Sequence, residues 1–439
     1  MRTETIELQE YETVLVDDDL VQFVDDSFWK ELSITATRSP KGAQWRLKAD
    51  ALSGIARYRS TGIDLTVVIE PKLGGADVLF LAEHAYGRRG QVLRRPKGAR
   101  VGIDNAYSDP IAALLIWYVD TVAEFATRWL RRSYRTRETV LTGQVRGRFL
   151  VSKYMTLSLA TGRNTEVPCV ITERTIDTPN NRLLKAGLRE VAKLSSSLAV
   201  PAAQKAVKTA VNSALPLFAG VSDTAIGPSE LRATSTRGPE RHYASILKTT
   251  GDLLGGRQLG AHAGENQVSS FMWAMPALFQ EALRGILETS EGFTMDSQRP
   301  NAKIYDGFGE RLTSSRIDPD YVVRGANGVM LFDAKYKESL RIPTLDDDSL
   351  TLENEGPRIR VSRSDIYQMA AYRQQPLWLD AETALIYPVV LCEGQALPKP
   401  YEVRGIGATI RLHFMDVGPN ARDNLASFRE RIRPSPAGN

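Results

Sequence analysis

Cysteine is nearly absent from this chain: Cys169 and Cys392 are the only two in 439 residues, and they lie far apart. No disulfide framework and no zinc-ligand spacing can be built from them. Histidine is scarce as well. His84, His242, His262 and His413 show no ligand or triad spacing and read as packing or surface residues. There is no Gly-x-x-x-x-Gly-Lys-Ser/Thr phosphate loop, so any nucleotide motor must come from another chain. Long hydrophobic runs are missing too. The most apolar stretch, Ile111 to Val119, is nine residues long, and Asp120 and Glu124 break the apolar character beyond it. That is too short to span a bilayer. The opening residues, MRTETIELQEYE, are polar and acidic rather than a signal peptide. A reduced, cytoplasmic compartment is the expectation, with no membrane contact. No internal repeat is visible.

What is present is an ordinary globular balance, with 42% hydrophobic and 25% charged residues. The length suggests two or three domains. A net charge of +4 and a pI near 8.9 are mildly basic. The distribution says more. Gly87 to Arg100 holds six basic residues and no acid, and Arg128, Arg131, Arg132, Arg135 and Arg137 crowd a second stretch. Each reads either as a solvated face or as a surface for phosphates or an acidic partner.

The pattern predicts an α+β multidomain chain. Residues 1–105 form a strand-rich N-terminal domain, and Gly62–Pro71 is its clearest strand. Residues 106–255 form a helical middle region. Asp109 caps a helix with Pro110 at its first position. Thr178-Pro179 and Pro201 open further helices, and 227–238 is a linker or exposed loop. Residues 256–432 form a third domain, which starts with a helix over 265–291 that includes Phe271. Strands come next, and then a polar insertion over 338–360 with a solvated Asp346–Asp348 run. A helix over 364–373 is capped by Ser364, and strands over 384–390 and 409–415 complete the domain. Residues 433–439 form a disordered tail.

The chemistry concentrates between 318 and 337. Gly325-Ala-Asn-Gly328 is turn chemistry between two β-rich runs and predicts a hairpin. If Arg324 pairs with Val329, Asp320 faces Asp333 at a Cβ separation of about 5 Å. Side chains alternate along a strand, so Asp333 and Lys335 share a face. Two carboxylates forced together repel, and a divalent cation removes that penalty. Hard oxygen ligands suit Mg²⁺ or Mn²⁺. A neighbouring lysine can orient water and neutralise developing charge. Gln368 and Tyr372 fall at i and i+4 on one helix face, placed to support the lysine or contact substrate.

This order resembles the PD-(D/E)xK nuclease superfamily, with the Gln-x-x-x-Tyr element of its RecB-like branch. The wider chain resembles the McrC family, the nuclease subunits of modified-cytosine-dependent restriction systems. The carrying segments are Ile69-Glu-Pro-Lys72, Leu79–Tyr86, Gln144-Val-Arg-Gly-Arg148, Thr178-Pro-Asn-Asn-Arg182, Asp333-Ala-Lys-Tyr-Lys337, Ile366–Tyr372 and Leu385–Pro388, in collinear order.

The resemblance implies a restriction-endonuclease-like α/β core over 256–432. It implies Asp320, Asp333 and the Ala334 carbonyl as metal ligands and Lys335 as catalytic lysine, in a Mg²⁺- or Mn²⁺-dependent DNA endonuclease. It also implies docking on a hexameric McrB-like AAA+ GTPase through the N-terminal domain or the helical middle region, and stimulation of its hydrolysis, with Arg146 and Arg148 reaching the partner's active site or DNA. The family pattern places an upstream acid directly after Phe279. This chain has Gln280 there and Glu281 one position on, about 100° around a helix. Two other readings stay open: an adaptor that mainly activates a AAA+ motor, and a standalone RecB-like repair nuclease.

Overall fold

The computed structural model describes residues 2–39, 44–86, 109–223, 232–253, 267–297, 301–305, 311–316, 318–325, 328–336, 362–391, 394–404 and 409–433. The basic run 87–100, the insertion 338–360, His262, Cys392 and the tail beyond 433 lie outside them. By its contacts the chain forms two compact units. The first comprises Met1–Tyr118, Lys193–Val207 and Gly264–Asn439, and the second Val119–Ala192 and Lys208–Ala263.

Six strands open the first unit: β1 (Arg2–Gln9), β2 (Thr13–Asp17), β3 (Thr35–Arg38), β4 (Gln44–Lys48), β5 (Leu52–Arg59) and β6 (Ile63–Glu70). β6 stops before Pro71, which cannot donate to a ladder. It pairs parallel with β1 and antiparallel with β5. β2, β4 and β3 form a separate small sheet. Phe28, Trp29, Leu47, Tyr58, Leu65 and Val67 fill the shared core. Each such side chain contributes about 1.5–3 kcal/mol on burial.

The helix Pro110–Trp129 begins as expected, with Asp109 Oδ1 accepting from the Ile111 and Ala112 N–H groups. Its 20 residues run past the nine-residue apolar stretch and make it long and apolar enough to cross a membrane. Ile111 to Leu115 are nevertheless packed in protein, each at most 1% exposed, as in the core helix of a globular domain.

The second unit corrects the expectation of a helical middle. It contains a three-stranded antiparallel sheet of β7 (Ser133–Thr142), β8 (Arg148–Phe149) and β9 (Glu166–Thr175), in the order β7-β9-β8. Its small core is Val167, Cys169 and Ile171. β7 is exposed along nearly its whole length, so no apolar alternation betrays it. The helices Pro179–Leu194 and Pro201–Ala214 start at the expected prolines. The Thr178–Arg182 segment serves the fold here. Buried Asn181 donates to the Arg131 and Ile176 carbonyls and accepts from the Tyr243 hydroxyl. Arg182 grips Asp177 through two 2.7 Å bonds and holds that carboxyl well below its usual range.

Back in the first unit, 267–274 is a strand, β10 (Gln267–Ala274), not the start of a helix. Phe271 pairs with Ile55 on β5 and completes the sheet β1-β6-β5-β10. The helix starts only at Met275, where Pro276 presets the first turn. The chain then forms β11 (Thr294–Met295), β12 (Asn301–Tyr305), β13 (Arg311–Arg316), β14 (Tyr321–Gly325), β15 (Gly328–Ala334), β16 (Glu382–Val389), β17 (Tyr401–Val403) and β18 (Ile410–Asp416). Six of these make a mixed sheet in the order β11-β14-β15-β16-β18-β17. Its middle strands β15, β16 and β18 run parallel. β16 and β18 are buried almost throughout, as parallel strands with both faces covered are. The 275–288 helix crosses the helix Gly75–Tyr86 closely, and only Gly285 fits, because a Cβ there would lie 2.0 Å from the His84 carbonyl oxygen.

Candidate active site

The β14–β15 hairpin sets the site. Arg324 pairs with Val329 and Tyr321 with Phe332. Asp320 directly precedes β14, next to the Tyr321–Phe332 pair, and the β14–β15 register is the one expected from the sequence. The Ala334 N–H donates to Asp320 Oδ2 at 2.8 Å. From the 275–288 helix, Gln280 Nε2 donates to Asp320 Oδ1 at 2.5 Å, and the Tyr321 hydroxyl donates to the Gln280 carbonyl. Burial first, and the charge of Asp333 second, push the Asp320 carboxyl up to about 6. Asp333 is 3% exposed.

Lys335 continues the ladder one residue past β15, its N–H donating to the Ile386 carbonyl at 2.9 Å. Its ammonium contacts Asp333 Oδ2 and donates to Gln368 Oε1 at 3.0 Å. Burial works against that charge, but the Asp333 carboxylate, with Asp365 and Asp320 behind it, outweighs it and the lysine titrates above its ordinary value. Gln368 Nε2 donates to the Tyr372 hydroxyl at 2.6 Å, which donates to the Asp318 carbonyl at 3.3 Å. A hydrogen-bonded path thus runs from the lysine through the helix Arg363–Arg373 to the segment carrying Asp320. That helix is capped at Ser362, not at Ser364 as read from the sequence. Ser364 stands inside the first turn, and its hydroxyl meets that of Ser362.

Asp320, Asp333, Ala334, Lys335, Gln368 and Tyr372 therefore converge. The donor set fits a hard divalent cation: two carboxylates with free lone pairs and an exit to solvent. Among the described residues, no set of three or more Asp, Glu, His or Cys converges as a metal site. A cation here would draw its remaining ligands from carbonyl, water or substrate oxygen. The Tyr387 hydroxyl is buried without a hydrogen-bond partner among the described residues, and after burial it is Asp365 and Asp333 that raise its pKa. A cleft of about 420 Å³ opens beside Asp320, lined by Gln280, Arg284, Asp296 and Asp318 among others.

Arg146 and Arg148 belong to the second unit. Both are exposed on the β8 side of its sheet, where Gly147 adopts φ +74° and a Cβ would come 2.3 Å from the Val170 carbonyl oxygen. The same sheet and its adjoining helical turn expose Val140, Val145, Val151, Met155 and Leu157, each more than half accessible.

Sequence reasoning did not place Gln280, Asp365 or Tyr387 in the site. Gln280 alone left a signal, by standing where the resemblance places an acid. Glu281 is one of the lesser charges raising the Tyr321 hydroxyl's pKa.

The McrBC 5-methylcytosine restriction system component family model matches residues 47–388. No curated protein matches. A chain from the refined half-complex of the tetradecameric assembly of Thermococcus gammatolerans McrB AAA+ hexamers with bound McrC is similar over 98% of this chain and 99% of its own, at 16% identity and a TM-score of 0.54. A chain of the Thermococcus gammatolerans McrBC complex shows 15% identity over 65% of this chain and 87% of its own, with a TM-score of 0.40. The first likeness identifies a shared fold. The match over 47–388 takes in most of the described site, and this chain belongs to the McrBC 5-methylcytosine restriction system component family.

Proposed function

We propose that this chain is the DNA-cutting subunit of a modification-dependent restriction system, with a PD-(D/E)xK core in its C-terminal sheet and a McrB-like AAA+ GTPase hexamer as its partner. The observation that carries this reading is the convergence of Asp320, Asp333 and Lys335 at the open end of a mixed sheet. It is buttressed by Gln368 and Tyr372. Asp320 and Asp333, with the Ala334 carbonyl, would hold Mg²⁺ or Mn²⁺. When bound, that ion supplies an activated water and stabilises charge on the phosphoryl oxygen.

The chain's own groups do the rest. Gln280 and the Ala334 N–H fix the Asp320 carboxylate, leaving its remaining lone pairs for a cation. Lys335 orients the attacking water and offsets negative charge as it builds on the phosphate. Gln368, fixed by Tyr372, keeps the ammonium from swinging into solvent. Arg284, in the cleft beside Asp320, lies over the Tyr321 ring at 5.9 Å and brings a cation for a flanking phosphate. In-line attack by water on phosphorus breaks the P–O3′ bond and leaves a 5′-phosphate and a 3′-hydroxyl.

The neighbour of similar fold comes from an assembly of AAA+ hexamers with bound McrC. Docking through the second unit accounts for its exposed Val145, Val151, Met155 and Leu157, since apolar side chains clustered on a surface mark interaction sites. Arg146 and Arg148 beside them would reach the partner's nucleotide or the DNA backbone. The test is an Asp333→Ala chain assayed with its GTPase partner on modified plasmid. Cleavage should disappear, and undiminished cleavage eliminates the assignment.

A further inference from the structure

Lys335 has a second carboxylate neighbour that the chemistry above does not use. Asp365 lies in the first turn of the 363–373 helix, and its Oδ1 is 3.7 Å from Lys335 Nζ. A carboxylate in a first helical turn is ordinarily a solvated partner of the helix dipole. Asp365 is instead only 6% exposed, and burying a carboxylate is expensive unless a cation compensates it. Lys335 is a basic group set against it, and Tyr387 feels its charge from the neighbouring strand.

The ammonium thus stands between two anions, Asp333 on β15 and Asp365 on the helix, with Gln368 one turn further on. In the structure it sits on Asp333. A cation held by Asp320 and Asp333 needs that same carboxylate and repels an ammonium that stays on it. The lysine must then lean on another anion or leave the site, and Asp365 is an anion within reach.

We propose that Asp365 is a positioning residue that takes over the Lys335 ammonium when a divalent cation claims Asp333. The inference rests on reading Asp320 and Asp333 as cation ligands. Its thermodynamic signature is coupling: Asp365 favours cation binding through Lys335, not as a ligand. Without Asp365 the ammonium competes harder for Asp333. Without Lys335 that competition vanishes, and Asp365 loses its influence.

The test is a double-mutant cycle on Mn²⁺ affinity, measured by calorimetry on the full chain without DNA or partner. Asp365→Asn should weaken Mn²⁺ binding about tenfold in the Lys335 chain and less than threefold in a Lys335→Met background. Lys335→Met alone should tighten it. Cleavage by Asp365→Asn at saturating Mg²⁺, assayed with the GTPase partner, should fall at least tenfold. A tenfold loss in both backgrounds makes Asp365 a direct ligand and overturns the proposal, as does no loss in either. Should Asp365→Asn fold poorly, Asp365→Ser runs the same cycle. Failure of the underlying reading looks different: Asp333→Ala would then bind Mn²⁺ as tightly as the unaltered chain.

Discussion

Replacing Gln280 by Glu would supply the carboxylate that the family pattern places there. Gln280 Nε2 lies 2.5 Å from Asp320 Oδ1, so the substitution sets oxygen against oxygen. Two ionised carboxylates about 4 Å apart near a protein surface repel by about 4 kcal/mol. The chain need not bear all of that, because Asp320, at about 6, can take up a proton. At pH 7 that proton costs about 1.4 kcal/mol, one pH unit's worth. The protonated carboxyl donates to its new neighbour in place of the amide, so no hydrogen bond is lost. In chelator at pH 7, Gln280→Glu should therefore destabilise the chain by about 1.4 kcal/mol, and by about 1.4 kcal/mol more at pH 8. With Mn²⁺ the sign reverses. Three carboxylates then face the cation, repulsion becomes attraction, and affinity should rise at least tenfold. Calorimetric titration with Mn²⁺, with melting curves in EDTA and in Mn²⁺ at both pH values, reads every term. A variant that melts like the unaltered chain in EDTA and binds Mn²⁺ no more tightly would refute the placement of Asp320 at a cation site.

Three other perturbations test separate parts of the molecule. Glu10, 3% exposed and held by Ser53 and Tyr336, is pushed by burial up to about 7 from an ordinary 4.5. A carboxyl raised by folding contributes stability in its protonated form, fully present below about 4.5 and lost as pH climbs through 7. The loss is about 3 kcal/mol, so Glu10→Gln should gain in melting temperature relative to the unaltered chain between pH 5 and pH 8. A constant difference across that range would falsify the burial argument. Gly147→Ala meets both a positive φ and the Val170 carbonyl and should cost about 2 kcal/mol or more in denaturant unfolding; a change under 0.5 kcal/mol contradicts the close approach. Lys335→Ala should abolish cleavage yet leave stimulation of the partner's GTP hydrolysis within twofold. Joint loss of both activities would tie the lysine to docking.

The hairpin is legible in the sequence because its information is local. Turn residues stand between two apolar runs, and taking 325–328 as the loop gives the Arg324–Val329 pairing that the structure has. The strand β16 announces itself in the same way, as a largely apolar run buried on both faces. β7 cannot, since a strand with almost no buried side chain carries no period to read. β10 is hidden for the opposite reason: an unbroken Phe271-Met272-Trp273 run next to a helix has neither period 2 nor period 3.6. What completes the site is non-local. Gln280 reaches Asp320 across 40 residues and Tyr336 reaches Glu10 across 326, and no local pattern encodes such pairs. Gln280 is the instructive case. Against the family pattern it reads as a missing ligand, whereas in the fold it is a donor to the carboxylate it was expected to join. An amide there lowers the charge a cation must neutralise, and it holds Asp320 in place before any cation arrives. The departure from pattern thus changes the electrostatics of the site without emptying the position, which is why its substitution is the sharpest probe of the site's chemistry.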